Sequence, residues 1–244
     1  MRPIIIQGAM DIEIHLLISS LNATLDKTIG GFMFYKADYQ GYPIIISKTN
    51  IGMSNSASAT TIGILTYNPV AIINQGTAGA HSRDAHVGDI IIATSTANIC
   101  SFEKSAMKTG TDYKLWKHTD FRDHDDNADK GASFKGDDDL VRILSTSSYS
   151  KTTVHKGVIG SGDTWNKEIE FIEFLIEKLD TMCEDMETAS VYNVANRFGV
   201  PVIGVRVISN NEVTLESYDR HSADNCQNFM LGCLESLTNH YKNI

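Results

Sequence analysis

The sequence predicts an α/β protein built on an open sheet whose strand ends carry polar residues. Apolar runs without alternating polar residues, such as residues 3–7 (PIIIQ) and 70–74 (VAIIN), are typical of strands buried on both faces. Between residues 183 and 211, a short strand, a helix and a second apolar strand follow one another, which is the order of a βαβ unit. Both strands of such a unit direct their carboxyl ends to one edge of the sheet, where open α/β sheets bind ligands.

Polar residues stand at both predicted strand ends of this unit. Glu184, Asp185 and Glu187 close its first strand, and Asn210 closes its second. The helix between the two strands ends near Gly199. Because both strand ends are expected at one edge, Glu187 and Asn210 are predicted to face one pocket although they lie far apart in sequence.

The composition limits the location and the partners of the chain. Its 244 residues contain no linker or low-complexity stretch, so we expect a single domain over residues 1–244. The formal net charge of -9 argues against a nucleic-acid partner, which needs a cationic face. The apolar runs are too short for a bilayer and no signal peptide precedes the first strand, so we expect a cytoplasmic protein without a membrane partner. Its cysteines form no CxxC pair, which predicts reduced and mostly buried thiols.

The first predicted strand leads through Gly8 into a helix that begins near Asp11. Glu13 falls in the first turn of this helix, where the helix dipole favours a carboxylate. From this segment alone, two interpretations of Glu13 stay open: a solvated first-turn acid, or an acid that serves a site.

Two glycine-bearing segments follow predicted strands. Residues 75–79 are predicted to form a tight turn, or a place where the backbone approaches a ligand closely. The second segment, 160–166, contains Trp165, which either caps the core or offers a flat surface for a heterocycle. The other predicted elements are a hairpin of residues 31–38 and 42–48, a helix over 52–65, strands over 87–99 and 152–160, helices over 137–148 and 166–179, and an amphipathic helix over 222–242.

The region 101–136 carries acids and histidines with Lys and Arg between them. Its histidines, such as His118, and its aspartates fit no spacing of a known metal site, and charge runs are usually solvated. We therefore expect an exposed loop and no metal, and the alternatives of a lid or a dimer contact stay open. His81 and His86 are also expected at the surface, or at the border of a ligand site. The motifs GxGxxG, GxxxxGK[ST], GxSxG and HExxH are absent from the sequence, which excludes the chemistries that depend on them.

Seven short segments, spread over nearly the whole chain, form one pattern. They are Gly8-Ala9-Met10-Asp11-Ile12-Glu13, Asn50-Ile51-Gly52, Ile73-Asn74-Gln75-Gly76-Thr77-Ala78-Gly79, Val87-Gly88-Asp89, Ser161-Gly162-Asp163, Asp185-Met186-Glu187-Thr188-Ala189 and Arg206-Val207-Ile208-Ser209-Asn210. Their order and spacing resemble those of the purine nucleoside phosphorylase and nucleosidase superfamily, and most closely the bacterial 5′-methylthioadenosine/S-adenosylhomocysteine nucleosidases.

This resemblance implies a fold, a reaction and an assembly. The fold is a three-layer α/β/α sandwich around a central twisted mixed β-sheet, usually in a homodimer. The reaction is hydrolysis of the N-glycosidic bond of an adenine thionucleoside, with adenine as the released base. A small-molecule purine nucleoside is the implied partner, and no metal or organic cofactor is implied.

By position, the resemblance also assigns roles around the ribose. Glu13 takes a proton from the attacking water, which Thr77 and Arg206 help to hold. Met186 and Glu187 hold the ribose, with Glu187 on its hydroxyls. Glycosidic cleavage builds positive charge on the sugar and negative charge on the base, so a nearby carboxylate stabilises the transition state more than the ground state. A positioned Glu activates water as a general base, as in inverting glycoside hydrolysis.

Other positions fall around the base. Trp165 occupies the place of the aromatic residue that stacks on the purine, Asn166 offers backbone groups to the edge of the base, and Ile51 closes the pocket. The remaining residues of the predicted substrate-binding set are Met10, Ala78, Gly79 and Asp185.

The chain departs from the resembled nucleosidases at Asn210, where they place an aspartate that protonates N7 of the leaving adenine. An amide can donate a hydrogen bond but cannot deliver a proton, so a general-acid contribution of about 10²–10⁴-fold to the rate could be missing. Three explanations are open. N7 is protonated through water or Glu212, or hydrogen bonding from Asn210 suffices; the substrate is a 6-oxopurine nucleoside, since trimeric phosphorylases use an asparagine at the base; or the chain binds nucleosides with little turnover.

Phosphorolysis is the other reaction of the resembled superfamily, and it needs cations around a phosphate. The turns near the predicted site offer Met53 and Ala80 instead of Arg or Lys, and Arg83 and Arg206 are the nearest cations in the pattern. The sequence therefore favours water over phosphate as the nucleophile.

Overall fold

The computed structural model describes residues 1–104, 106, 112–119, 132–146 and 152–242, which form a mixed α/β fold. The strands are β1 (Ile4–Gly8), β2 (Thr24–Ile29), β3 (Phe32–Tyr39), β4 (Tyr42–Lys48), β5 (Ala71–Ala80), β6 (Ile90–Asn98), β7 (Phe102–Glu103), β8 (Lys117–His118), β9 (Ser133–Lys135), β10 (Val154–Ser161), β11 (Thr181–Asp185) and β12 (Val202–Asn211). The helices are α1 (Asp11–Ser20), α2 (Met53–Tyr67), α3 (Asp138–Ser145), α4 (Ile169–Leu179), α5 (Thr188–Arg197) and α6 (Ser222–Lys242), with a 3₁₀ turn at Tyr113–Leu115.

A central mixed sheet organises the fold. Its strands lie in the order β11-β10-β6-β12-β5-β1-β4-β3-β2, and β9 pairs with β6. Strands β4, β1, β5 and β12 run parallel to one another. Strand β6 pairs antiparallel with β12, and β10 and β11 share the direction of β6. The boundary between β6 and β12 therefore separates two parallel groups that point in opposite directions.

Strand β11 also returns to β5, so that five strands close into a ring. β11 pairs antiparallel with β5, with Glu184 opposite Gly79 and Cys183 opposite Ala80. β12 pairs with the other side of β5, with Asn210 opposite the same Gly79. Gly79 is thus flanked by Glu184 on one side and by Asn210 on the other.

The prediction of a βαβ unit over residues 183–211 is wrong in the direction of its strands. Helix α5 does connect β11 to β12, but these strands run antiparallel because β6 stands between their two groups. Their polar ends still meet, through their common neighbour β5. The expected convergence of Glu187 and Asn210 therefore has a different cause from the one predicted.

Helices cover both faces of the sheet, as alternate residues of β1 illustrate. Ile4 and Ile6 pack with residues of α1, α3 and α6, whereas Ile5 packs with residues of α2 and α5. All three isoleucines are fully buried, which is why this strand reads as an unbroken apolar run. The predicted helix, sheet and helix layers around a mixed sheet are confirmed. Helix α4 packs against a smaller cluster through Phe174, next to Phe102.

The predicted helices and strands are otherwise observed in the predicted order, but the sequence did not predict β2 or the short strands β7, β8 and β9. The expected exposed loop over 101–136 is wrong for some of the residues that the structure describes there, since Phe102, His118 and Ala132 are buried. Residues 75–79 continue β5 to Ala80 and do not form a turn. Most of the acids considered for a metal site, within residues 120–131, lie outside the described residues. In the described part of the chain, no group of three or more His, Cys, Asp or Glu is placed to hold a metal ion. None of the described helices combines the length and apolar character that a bilayer span requires. Cys183, Cys226 and Cys233 are buried as expected, whereas Cys100 is exposed.

Candidate active site

The side chain of Glu13 is buried at the start of α1. Its Oε2 accepts hydrogen bonds from the backbone N–H groups of Ala9 (2.8 Å) and Met10 (3.1 Å), which closes the first turn of the helix. Its Oε1 accepts from the backbone N–H (2.8 Å) and the hydroxyl (3.0 Å) of Thr77. With Glu13 only 3% exposed, the interpretation as a solvated first-turn acid is wrong. Of the four donors, only the Thr77 hydroxyl can rotate away from the carboxylate, because the other three are backbone N–H groups.

Gly76 allows β5 to pass beside this carboxylate. A Cβ atom at residue 76 would lie 2.7 Å from Oε1 of Glu13, so any side chain there would displace this carboxylate. The neighbouring Gln75 donates from Nε2 to the carbonyl oxygen of Glu13 at 2.5 Å. The glycine in this segment therefore allows the carboxylate of Glu13 to approach the backbone closely. The predicted tight turn is not formed, since β5 continues to Ala80.

Glu187 stands between β11 and α5, at the residue before the helix. Its Oε1 accepts a hydrogen bond from the backbone N–H of Gly52 at 2.9 Å, and its Oε2 lies 3.9 Å from Nη2 of Arg206. Burial, followed by the repulsion of Asp185, raises the pKa of Glu187 to about 8 against the attraction of Arg206. The negative charge of Glu13 contributes to the same rise in pKa, because the two acids share one region of the protein.

Arg206 and Asp185 form a buried ion pair beneath Glu187. Nη1 of Arg206 donates to the carbonyl oxygen of Asn74 at 2.8 Å, and its Nη2 contacts Oδ2 of Asp185. Asp185 also accepts hydrogen bonds from the hydroxyls of Ser161 and Thr188. The arginine is 1% exposed, so its charge is balanced within the protein. This ion pair therefore places a buried positive charge close to Glu187.

Neighbouring side chains fix the orientation of the Asn210 amide. Its Oδ1 accepts a hydrogen bond from the hydroxyl of Ser209 at 3.1 Å, and its Nδ2 lies 3.3 Å from Oε1 of Glu212. A carboxylate accepts hydrogen bonds, so the nitrogen end of the amide faces Glu212. The bond to Glu212 uses one of the two hydrogens of Nδ2.

Glu184 and Asn166 lie together at the end of the 160–166 turn. Oε1 of Glu184 accepts from the backbone N–H of Asn166 at 2.7 Å, and Oε2 accepts from its side-chain Nδ2 at 2.5 Å. Nε2 of His81 lies 3.3 Å from the same Oε2, and its Nδ1 is 2.8 Å from the hydroxyl of Thr181. His81 is fully enclosed, so its expected surface position is wrong, whereas His86 is exposed as expected.

Three partly exposed apolar side chains stand at the mouth of the site. The rings of Trp165 and Tyr218 lie 5.7 Å apart between centroids and are tilted by 59°. Ile51, which precedes the Gly52 that binds Glu187, is about half exposed like the two aromatic residues. Such a rim suits the apolar parts of a ligand.

Most of these residues border one cavity, whose volume is about 720 Å³ when the open space at its mouth is included. Its lining residues are Ala9, Met10, Glu13, Ile51, Thr77, Ala78, Gly79, Thr164, Trp165, Glu184, Asp185, Met186, Glu187, Ser209, Asn210 and Tyr218. The lining contains carboxylic acids but, within the described part of the chain, no Lys, Arg or His. The cavity therefore favours positive charge and disfavours anions.

The cavity has two ends along β5. Glu13 binds this strand at Thr77, whereas Glu184 and Asn210 flank it at Gly79. Two strand residues span about 7 Å, which is the distance between these two positions along the strand. One end thus holds Glu13, and the other holds Glu184 and Asn210.

Comparison with known proteins identifies the family. Residues 3–235 match the family model described as the phosphorylase superfamily. The chain belongs to the phosphorylase superfamily. A 5′-methylthioadenosine/S-adenosylhomocysteine nucleosidase of Halalkalibacterium halodurans is 31% identical to this superfamily member over 211 residues, which cover 86% of the chain and 85% of that protein.

Solved structures share the fold of this phosphorylase-superfamily chain. Futalosine hydrolase of Helicobacter pylori strain 26695 superposes with a TM-score of 0.79 at 23% identity, over 96% of this chain and 97% of that one. An aspartate-to-asparagine mutant of Helicobacter pylori MTAN, with 5′-methylthioadenosine in its active site, superposes with a TM-score of 0.78 at 25% identity, over 96% and 99%. The family match and the 31% identical relative confirm the resemblance to the 5′-methylthioadenosine/S-adenosylhomocysteine nucleosidases, and the solved structures confirm the nucleoside phosphorylase-like fold.

Most predicted site residues of this phosphorylase-superfamily member line the cavity. The exceptions are Arg206, which lies beneath it, and Asn166, whose backbone N–H already binds Glu184. The residues that the sequence did not single out are Ala9, Thr164, Glu184, Ser209 and Tyr218. Glu184 was noted only as part of an acidic cluster, since the sequence did not indicate which of those acids face the cavity. Tyr218 follows a stretch with no periodic pattern, so no signal marked it.

Proposed function

We propose that this protein hydrolyses the N-glycosidic bond of purine nucleosides, and that its main substrates are 5′-methylthioadenosine and S-adenosylhomocysteine. The observation that carries the proposal is that Glu13 and Glu187 border one cavity whose described lining holds no basic side chain. The names of its curated relatives support the choice of an adenine thionucleoside, released as adenine for methionine salvage.

In this proposal Glu13 is the general base. Water enters at the Thr77 hydroxyl, which rotates to bind it, while the backbone N–H groups of Ala9, Met10 and Thr77 keep the carboxylate in place. A positioned base of this kind contributes about 10²–10⁴-fold to the rate. Arg206 does not line the cavity and acts through its neighbours, since it pairs with Asp185 and lies 3.9 Å from Glu187.

Glu187 binds the ribose hydroxyls in this proposal, with Met186 against the sugar. As the glycosidic bond breaks, positive charge grows on the ribose, and a nearby carboxylate stabilises it. This role needs the ionised form of Glu187, although burial and the charge of Asp185 raise its pKa to about 8. Ribose hydroxyls that donate to Glu187 favour the ionised form, so binding and ionisation support each other.

The charge of the lining supports water rather than phosphate as the nucleophile. A phosphate would meet the acids that border the cavity without a described basic side chain to neutralise it. Of the cations considered from the sequence, Arg83 is exposed outside the lining, and Arg206 is occupied by Asn74 and Asp185.

A second candidate function is a nucleosidase or phosphorylase for 6-oxopurine nucleosides. Asn210 favours it, because the amide presents Nδ2 to the cavity and cannot deliver a proton to N7 of adenine. A third candidate, from a different class, is a nucleoside-binding protein with little turnover, and the same asparagine supports it.

One experiment separates the candidates. The protein is mixed with 5′-methylthioadenosine, S-adenosylhomocysteine, inosine and futalosine, each with and without phosphate, and the free base and the sugar product are measured. Adenine release without phosphate supports the proposed hydrolase. Release that requires phosphate supports a phosphorylase, and binding without release supports the third candidate. The homodimer and the cytoplasmic location remain part of the proposal, and light scattering of the purified protein tests the dimer.

A further inference from the structure

We infer that Glu184 reads the hydrogen-bonding edge of the bound purine and allows the site to accept 6-oxopurines. This inference rests on the proposed function, since it assumes that a purine occupies the cavity. It assigns a specificity-determining role to a residue outside the two acids of the ribose end.

Glu184 is a fixed acceptor. It is 6% exposed, it lines the cavity, and both of its oxygens accept hydrogen bonds from Asn166. His81 stands behind it, 3.3 Å from Oε2. A buried carboxylate held in this way keeps its remaining lone pairs for a donor on a ligand.

Glu184 lies at the base end of the cavity. It opposes Gly79 across β5, and Asn210 opposes the same glycine from the other side. The residue that holds it, Asn166, directly follows Trp165 at the cavity mouth. A purine placed against Trp165 therefore lies between an acceptor at Glu184 and the Nδ2 donor of Asn210.

This arrangement of one acceptor and one donor matches a 6-oxopurine. Such a base carries a hydrogen on N1 for Glu184, and it presents O6 and N7 as acceptors for Asn210. Adenine has a lone pair at N1, so it can reach the carboxylate only through an N6 hydrogen. Because a hydrogen bond to a charged group contributes about 1.5–3 kcal/mol, the N1 hydrogen is expected to change affinity by about tenfold or more.

The test compares the affinities of hypoxanthine and adenine by calorimetry for the wild type, Glu184→Gln and Glu168→Gln. Glutamine removes the charged acceptor and adds an N–H donor at the same place. We expect Glu184→Gln to weaken hypoxanthine binding by about tenfold or more and adenine binding by less than about threefold. Glu168→Gln is the matched control, since Glu168 is exposed, binds the Tyr113 hydroxyl at 2.7 Å and does not line the cavity.

A second measurement needs no variant. 1-Methylhypoxanthine lacks the N1 hydrogen, and we expect the wild type to bind it at least about tenfold more weakly than hypoxanthine. Equal affinity for the two bases, or an equal loss of hypoxanthine and adenine binding in Glu184→Gln, overturns the inference. Base release from nucleosides is measured in parallel. If the wild type releases no base while the affinities follow the expected pattern, the proposed hydrolysis fails and the role of Glu184 stands.

Discussion

Glu13 and Thr77 are joined by two hydrogen bonds to a single oxygen. Oε1 of Glu13 accepts from the backbone N–H of Thr77 at 2.8 Å and from its hydroxyl at 3.0 Å. The first bond is fixed by β5, whereas the second depends on a rotatable hydroxyl. Because the two residues lie in α1 and β5, this contact joins the first helix to the strand that runs the length of the cavity.

Replacing Thr77 with Val tests the place at which water enters. Valine keeps the backbone N–H and the branched shape but removes the hydroxyl, so we expect kcat to fall by about tenfold with little change in KM. Thr61→Val is the control, because the Thr61 hydroxyl binds the carbonyl oxygen of Ala57 within α2 and Thr61 is not among the residues that line the cavity. A loss confined to KM would show that Thr77 binds the substrate and does not position water.

The raised pKa of Glu187 predicts a pH dependence of activity. Since kcat/KM reports the free enzyme and the ribose needs the ionised carboxylate, we expect kcat/KM to rise with pH and to level off above about 8. The Glu187→Gln variant lacks the titrating group, so its residual activity is expected to lack this limb. A wild-type profile that is flat from pH 6 to pH 9 contradicts the role of ionised Glu187.

The same proton affects stability. The folded protein holds it up to about pH 8, whereas an ordinary glutamate releases it near 4.5, so the folded state binds more protons between these values. The resulting stability is complete below the unfolded pKa and is lost as the pH rises through the folded pKa. We expect the free energy of unfolding of the wild type, relative to Glu187→Gln, to decrease from pH 5 to pH 8 in denaturant titrations.

Removing the charge of Arg206 tests the buried ion pair. Arg206→Met leaves Asp185 buried without its cation, and an uncompensated buried charge costs about 3–5 kcal/mol. Thermal and denaturant unfolding measure this loss. Arg142→Met is the matched control, since Arg142 pairs with Asp139 at the surface, where solvent screens the charges and the loss of the pair is expected to change stability far less. Equal stability of the two variants would remove the structural role of Arg206.

Asn210→Asp tests the proton at N7. The new carboxyl would be buried beside Glu212, whose oxygen lies 3.3 Å from the present Nδ2, so burial and like charge would raise its pKa and keep it protonated. We expect the rate of adenine release from 5′-methylthioadenosine to increase by about tenfold or more. Glu212→Gln in the same background removes the repulsion and is expected to reduce the gain. A slower variant would mean that the amide is matched to its substrate.

Local patterns predicted much of this fold, because they depend on neighbours in sequence. The apolar run at residues 4–6 marks a strand buried on both faces, and Asp11 and Glu13 mark the first turn of α1. The direction of β11 relative to β12 was not predictable in this way. It depends on β6, a strand from a distant segment that pairs between the two groups.

The candidate site was predicted best where a close contact restricts the residue type in the sequence. Residue 76 is a glycine within a strand because a Cβ atom there would lie 2.7 Å from Oε1 of Glu13. The glycine therefore indicated, from the sequence, that another group approaches this backbone closely. The sequence contained no comparable indication for Glu184 and Tyr218, because whether they line the cavity depends on which face of a strand and which loop lie next to it. The burial of His81 likewise follows from its contact with Thr181, far away in sequence.

The central claim is that Glu13 and Glu187 act on one nucleoside without phosphate. The most direct test follows free base released from 5′-methylthioadenosine in phosphate-free buffer by the wild type, Glu13→Gln and Glu187→Gln. Asp11→Asn is the control, since Asp11 is an exposed acid of the same helix that pairs with Lys48. We predict base release by the wild type and by the control, and a loss of about 100-fold or more in both glutamine variants while circular dichroism shows them folded. A folded Glu13→Gln variant that released base at the wild-type rate would contradict the account.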